Sequence, residues 1–182
     1  MRTGISRFSK IALFVAMAGA AATAIGGDAP DSPNLTKYQG TWEIKAVMRS
    51  SADAEPIEIS GIAEKKVVGD RWVISKFEAD FFGVEFAGQD FFGYDKDAGH
   101  WRAVWVDSMN DANIQYTGNA PSDDGLVMSG RAKKGSTWVE EKRTDVWHGA
   151  DQFDTNFVTV MPDGTEFQSL SIQHKRVAPP ST

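Results

Sequence analysis

The chain has 182 residues, a formal charge of −6, 11% aromatic residues and no cysteine. Zero cysteine excludes disulfides, a lipid-modified N-terminal cysteine, thiolate metal sites and cysteine nucleophiles together. The acidic balance, with no basic cluster larger than Lys65-Lys66 or Lys133-Lys134, excludes the electrostatic footprint of a nucleic-acid binder or of a protein held on anionic lipid.

At the start, Arg2, Arg7 and Lys10 precede an apolar run from Ile11 to Ala24 whose end, Ala22-Thr23-Ala24, fits a small-residue cleavage site. This pattern predicts a secretory signal peptide over residues 1–24. As a helix the run would reach about 21 Å against a hydrocarbon core of about 30 Å, so no membrane span is expected after cleavage. Cleavage removes three cationic residues and no acidic one, which takes the formal charge from −6 to −9. The expected location is periplasmic or secreted. Residues 25–33 (IGGDAPDSP) read as a flexible leader, 34–177 as one domain, and 178–182 as a disordered Pro-rich tail.

Ser32-Pro33 is expected to cap and start a short helical turn running to Tyr38. After Gly40 the period becomes two: Trp42, Ile44, Ala46 and Met48 alternate with Thr41, Glu43 and Lys45, a strand with its apolar face inward. Strands follow over Ile57–Val68 and Arg71–Asp80, joined by a tight turn at Gly69-Asp70. Phe81 to Gly88, with three aromatics and two glycines, reads as a bent strand or bulge. Further strands are predicted over Asn113–Asn119, Leu126–Arg131, Thr137–Trp147, Gln152–Val160 and Glu166–Arg176, with turns at Pro121–Gly125 and Pro162-Asp163-Gly164.

The densest stretch is Gln89–Ser108, which gathers Phe91, Phe92, Tyr94, Trp101 and Trp105 around an Asp95–Gly99 turn. It reads as a hairpin. Burying one Trp removes roughly 150–250 Å² from water, on the order of 4–6 kcal/mol, and a lone hairpin cannot supply that burial. The flanking strands must fold over it. Nine or ten short strands at near-regular spacing, with no useful amphipathic helix, predict an all-β fold: a single antiparallel up-and-down barrel with a short N-terminal helical turn.

Gly40-Thr41-Trp42 at the start of the first strand, with Arg176 at the end of the last, resembles the calycin arrangement of lipocalins. The resemblance implies that Trp42 closes one end of the barrel and that Arg176 packs over its indole, a contact worth about 0.5–2 kcal/mol. Over Gly40 to Arg176, the features Gly69-Asp70-Arg71-Trp72, Gly93-Tyr94-Asp95, Trp105-Val106-Asp107-Ser108, Asp163-Gly164 and Arg176 resemble an uncharacterised bacterial family with a lipocalin-like barrel. Gly69-Asp70 stands where that family usually carries Gly-Gly. The resemblance implies a fold and no mechanism.

Candidate chemistry is sparse. His100, His148 and His174 lack the spacing of a metal site, and no metal or other cofactor is expected. If Arg176 faces inward so does His174, two residues earlier; by resemblance to haem-binding relatives of the barrel superfamily, His174 would be the iron ligand in a haem-binding alternative. Asp107-Ser108 lacks the elbow of a hydrolase and reads as a strand terminator. Glu140 and Glu141 point to opposite faces, and Asp123-Asp124 lies in a turn, so neither is an acid/base pair. Gly61, Gly69, Gly83, Gly88 and Gly93 fall at turns or bends and not before a helix, so no phosphate loop is formed.

Trp101, Ala103 and Trp105 share one face, which lines either a cavity or a filled core; the filled core is the expectation, because small barrels are usually plugged by their own side chains. The absence of an assembled acid, base and nucleophile favours a binding module over an enzyme. An apolar ligand, if held, is expected on Trp101 and Trp105, away from the end plugged by Trp42, Arg176, Leu35 and Tyr38. A filled barrel acting as a structural or interaction domain is the remaining alternative.

Overall fold

In the computed structural model, residues 33–118 and 126–177 are described. The expected signal peptide over residues 1–24, the expected leader up to residue 32, the expected turn at Pro121–Gly125 with Asp123-Asp124, and the expected tail at 178–182 lie outside them. Ten antiparallel strands follow one short 3-10 turn, Leu35–Tyr38: β1 Gly40–Met48, β2 Ile57–Val68, β3 Trp72–Phe81, β4 Val84–Asp95, β5 His100–Asp107, β6 Ile114–Gly118, β7 Leu126–Lys134, β8 Thr137–Trp147, β9 Gln152–Val160 and β10 Glu166–Arg176. Each strand pairs with its chain neighbour, and β1 pairs with β10 to close the barrel. Closure removes the open edges that an aromatic-rich sheet would otherwise present to other chains.

The closing register sets Trp42 opposite Arg176. The Arg176 guanidinium lies 4.1 Å from the indole centroid. It also donates to the carbonyls of Gln39, Lys37 and Ala150 and pairs with Asp151 at 2.9 Å. One side chain thus ties the last strand to the 3-10 turn and to the β8–β9 loop. Gly40 has φ +130°, and a Cβ there would stand 2.8 Å from the guanidinium, so glycine is required where the chain enters the barrel.

The 3-10 turn is the plug. Its cap is Asn34, whose side chain accepts from the Thr36 N–H at 3.0 Å, and not the expected Ser32-Pro33. An Asx side chain reaches the second N–H after it, so it caps a turn that starts later. Trp42 Nε1 donates to the Tyr38 carbonyl at 2.9 Å, and the Tyr38 ring meets Phe92, Trp147 and Phe153 edge-on at 4.9–5.4 Å. This end of the barrel is filled.

Phe81 to Gly88 is not one bent strand. Phe82 and Gly83 both have positive φ, 56° and 83°, and form a two-residue turn between β3 and β4, with the Gly83 N–H held by Asp80 Oδ1 at 2.7 Å. A phenylalanine in the left-handed region is unfavourable by itself, and nothing in the residue type announces the turn. Gly69-Asp70, at φ 55° and 56°, forms the tight turn its residue types predict.

Candidate functional site

Below the plug, the barrel is not filled. A cavity of about 280 Å³ opens toward the end that carries the β3–β4 and β5–β6 connections. Its outer wall is apolar, built from Met48, Ile59, Phe81, Phe86, Trp105 and Ile114. The expectation of a filled core therefore holds for the closed half only. Side chains of one strand's inner face sit about 7 Å apart, so a strand can pass from a packed layer to a cavity wall within two or three positions.

The two tryptophans of β5 show this directly. Trp101 is buried against Phe92 and Tyr94, in the layer beneath the plug, and does not line the cavity. Trp105 does. Four residues of strand, about 13 Å, separate them. Trp105 Nε1 donates to Asp107 Oδ2 at 2.7 Å, and Asp107 Oδ1 accepts from the Met109 and Asn110 N–H groups, so the carboxylate both ends β5 and fixes the indole. Gly88 makes room for it: a Cβ there would stand 2.5 Å from the Trp105 ring. Ser108 Oγ accepts from the Ala87 N–H at 3.1 Å, as a strand terminator would.

The floor of the cavity is charged, and this the sequence reading missed. Lys65, Asp90, Glu141 and Arg143 line it and are buried, with His174 and Thr155 beside them; Asp145 and Ser75, also buried, stand behind Arg143 and Lys65. Arg143 Nη1 pairs with Asp90 at 2.7 Å and its Nε with Asp145 at 3.4 Å; Tyr38 donates to the other Asp145 oxygen at 3.2 Å. Burial opposes the Arg143 charge, but the two carboxylates more than offset it, and its pKa rises. Tyr116 donates to Glu141 Oε2 at 2.6 Å, and burial first, then the Glu141 charge, pushes its phenol pKa up.

Lys65 stands apart from this network. It is 3% exposed, its Nζ donates to Ser75 Oγ at 3.2 Å, and the Phe77 centroid lies 4.6 Å away. No carboxylate pairs with it among the described residues. Burial lowers its pKa to about 8, with the Asp90 charge acting the other way. His174 faces inward as expected. Its ring stacks on Phe153 at 4.1 Å, its Nε2 meets Thr155 Oγ1 at 3.3 Å, and burial followed by the Lys65 charge holds its pKa well below 6.5. His174 Nδ1 and Asp90 Oδ1 are buried without a hydrogen-bond partner among the described residues. Of the other histidines, His148 pairs with Asp154 at 2.9 Å and His100 meets the Ala98 carbonyl, both at the surface.

Alternation carried a signal for these groups. Glu141, Arg143 and Asp145 fall between Val139 and Trp147 on the inner face of β8, and Lys65 follows Ala63 on that of β2. Glu141 is buried while Glu140 is exposed, so the two glutamates do take opposite faces.

The buried groups predict two opposite pH effects. His174 takes up its proton near pH 6.5 when unfolded but not when folded, so stability falls as pH drops below that value. Lys65 keeps its proton up to about pH 10.5 when unfolded but loses it near pH 8 when folded. Stability therefore rises between pH 8 and 10, by about 2–3 kcal/mol at 1.36 kcal/mol per pH unit. Urea unfolding across pH 5–10 should show the alkaline rise in the parent and no such rise in Lys65→Met, with the acid fall due to His174 kept in both; equal profiles above pH 8 would place the Lys65 amine in water.

The comparisons with known proteins carry no activity. A family model described as "Protein of unknown function (DUF1579)" matches residues 31–176. No curated protein matches the chain. A solved structure described as a redesigned beta barrel is similar at 11% identity and a TM-score of 0.44, covering 81% of this chain and 98% of that one.

Proposed function

The chain belongs to the DUF1579 family of proteins of unknown function, and from that premise we propose that it is a binding barrel for a small, mostly apolar molecule carrying a neutral polar head. The carrying observation is the cavity of about 280 Å³, apolar at its mouth and ending on a polar floor. Its size suits a compact ligand at the lower limit of small-molecule pockets. The buried charged side chains are two cations, Lys65 and Arg143, against three acids, Asp90 and Glu141 on the cavity lining and Asp145 behind Arg143. A ligand carboxylate would add charge to a buried cluster that, with Asp145, is already formally negative, whereas a hydroxyl or carbonyl can meet Asp90 Oδ1, His174 Nδ1 or Lys65 Nζ without that penalty.

This reading places the ligand on Trp105 alone of the two tryptophans expected to hold it. It also favours binding over a filled structural barrel. The haem alternative is poorly supported, because the macrocycle exceeds the cavity and the His174 ring is stacked on Phe153 at 4.1 Å and meets Phe77 edge-on at 6.2 Å. The signal-like N-terminus supports an exported protein acting in the periplasm or outside the cell. The Trp42–Arg176 closure supports kinship with lipocalin-like barrels, here with ten strands.

Titration with 4-nitrobenzyl alcohol, a neutral aromatic quencher of indole fluorescence, tests the site. Quenching is expected in the parent, in Trp42→Phe and in Trp101→Phe, and most of it should vanish in Trp105→Phe. Undiminished quenching in Trp105→Phe would place the ligand elsewhere.

A further inference from the structure

We propose that Lys65 captures aldehydes that enter the cavity, forming an imine between its Nζ and the aldehyde carbon. The inference deepens the binding reading and rests on it. Three observations converge on this residue. Lys65 lines the cavity floor, although 3% exposed. Its one hydrogen-bond partner among the described residues is the Ser75 hydroxyl, which leaves amine hydrogens and, once deprotonated, the lone pair uncommitted. Arg143, by contrast, is held between two carboxylates. The amine also lies among aromatic rings, with the centroids of Phe77 at 4.6 Å and Phe153 at 5.6 Å, where a protonated lysine is poorly solvated.

That environment activates a lysine as a nucleophile. With its pKa at about 8, roughly one Lys65 in five is neutral at pH 7.4, against about one in a thousand for a solvent-exposed lysine. The reaction balances without an oxidant or reductant. The Nζ lone pair forms a bond to the carbonyl carbon, the carbonyl π pair moves to oxygen, and a proton shifts from nitrogen to that oxygen to give a carbinolamine. Nitrogen then forms the C=N bond as the C–O bond breaks, and water leaves with one further proton. The charged groups acting on Lys65 are Asp90 and Asp145, which stabilise a protonated imine, and Arg143, which opposes it; His174, beside it, is neutral. His174 Nδ1, without a partner among the described residues, is placed on the same floor to exchange the proton. The apolar remainder of the aldehyde would run toward Trp105.

The test pairs 4-nitrobenzaldehyde with its alcohol. The folded protein is treated at pH 7.4 with less than one equivalent of aldehyde and cyanoborohydride, and the nitrobenzyl adducts are located by peptide fragmentation. Lys65 should carry at least tenfold more label than Lys66 beside it, should lose that preference in urea-unfolded protein, and should yield no cavity adduct in Lys65→Met. If the alcohol quenches Trp105 fluorescence but the aldehyde labels Lys65 no more than exposed lysines, the capture proposal falls and the binding reading stands. Loss of both the alcohol quench and the Lys65 label overturns the two together.

Discussion

Replacing Arg143 with methionine is expected to destabilise the protein by about 3–5 kcal/mol, the usual consequence of leaving a buried partner charge uncompensated. Here two charges are stranded. Asp90 pairs with the guanidinium at 2.7 Å and Asp145 at 3.4 Å, and both carboxylates are buried. The guanidinium also lies 5.2 Å from the Phe92 centroid and 5.9 Å from that of Phe157, so it packs as well as pairs. Adding Asp90→Asn and Asp145→Asn to Arg143→Met should recover a large part of the loss, because the triple variant buries no stranded carboxylate at those positions. Urea midpoints read at constant slope decide it. A single variant within about 1 kcal/mol of the parent would show that water reaches the cluster freely.

Trp42→Ala should cost about 3–5 kcal/mol, the range for truncating a large buried aromatic. Trp42 is fully buried, stacks edge-on against Phe153 at 5.0 Å, and holds the Tyr38 carbonyl through its indole N–H. Its loss should also free the 3-10 turn, and amide exchange at residues 35–38 should rise well above that of the strands. Arg176→Met should cost less, since the guanidinium keeps a partly exposed position and its pairing with Asp151 is in water's reach. Equal costs for the two variants would assign the closure to the arginine's carbonyl contacts and not to the indole's burial.

These two variants probe different layers of one barrel. The plug layer is apolar and gains stability from burial. The floor layer buries five charged groups, and such clusters are seldom the most stable way to fill a core. The proposed binding role would use a charged floor beneath an apolar cavity, since unpartnered polar atoms are useful to a ligand and costly without one.

What the sequence by itself determined is the strand framework. Ile57–Val68, Thr137–Trp147, Gln152–Val160 and Glu166–Arg176 end where alternation and turn residues end them, because period-two burial and turn chemistry are local properties. The Trp42–Arg176 closure was also legible, though only through resemblance, since the two residues are far apart in the chain. The Phe82-Gly83 turn was not, because its first residue takes a positive φ that phenylalanine does not advertise. Only the tertiary structure decided which inward positions fill space and which enclose it: Trp101 and Trp105 share one face of one strand, yet the first is packed and the second lines the cavity. It alone also brought Asp90 to Arg143, across 53 residues. Face is set by the alternation of a single strand, whereas layer and partner are set by the stagger of ten strands around a closed barrel, a quantity that no local pattern carries.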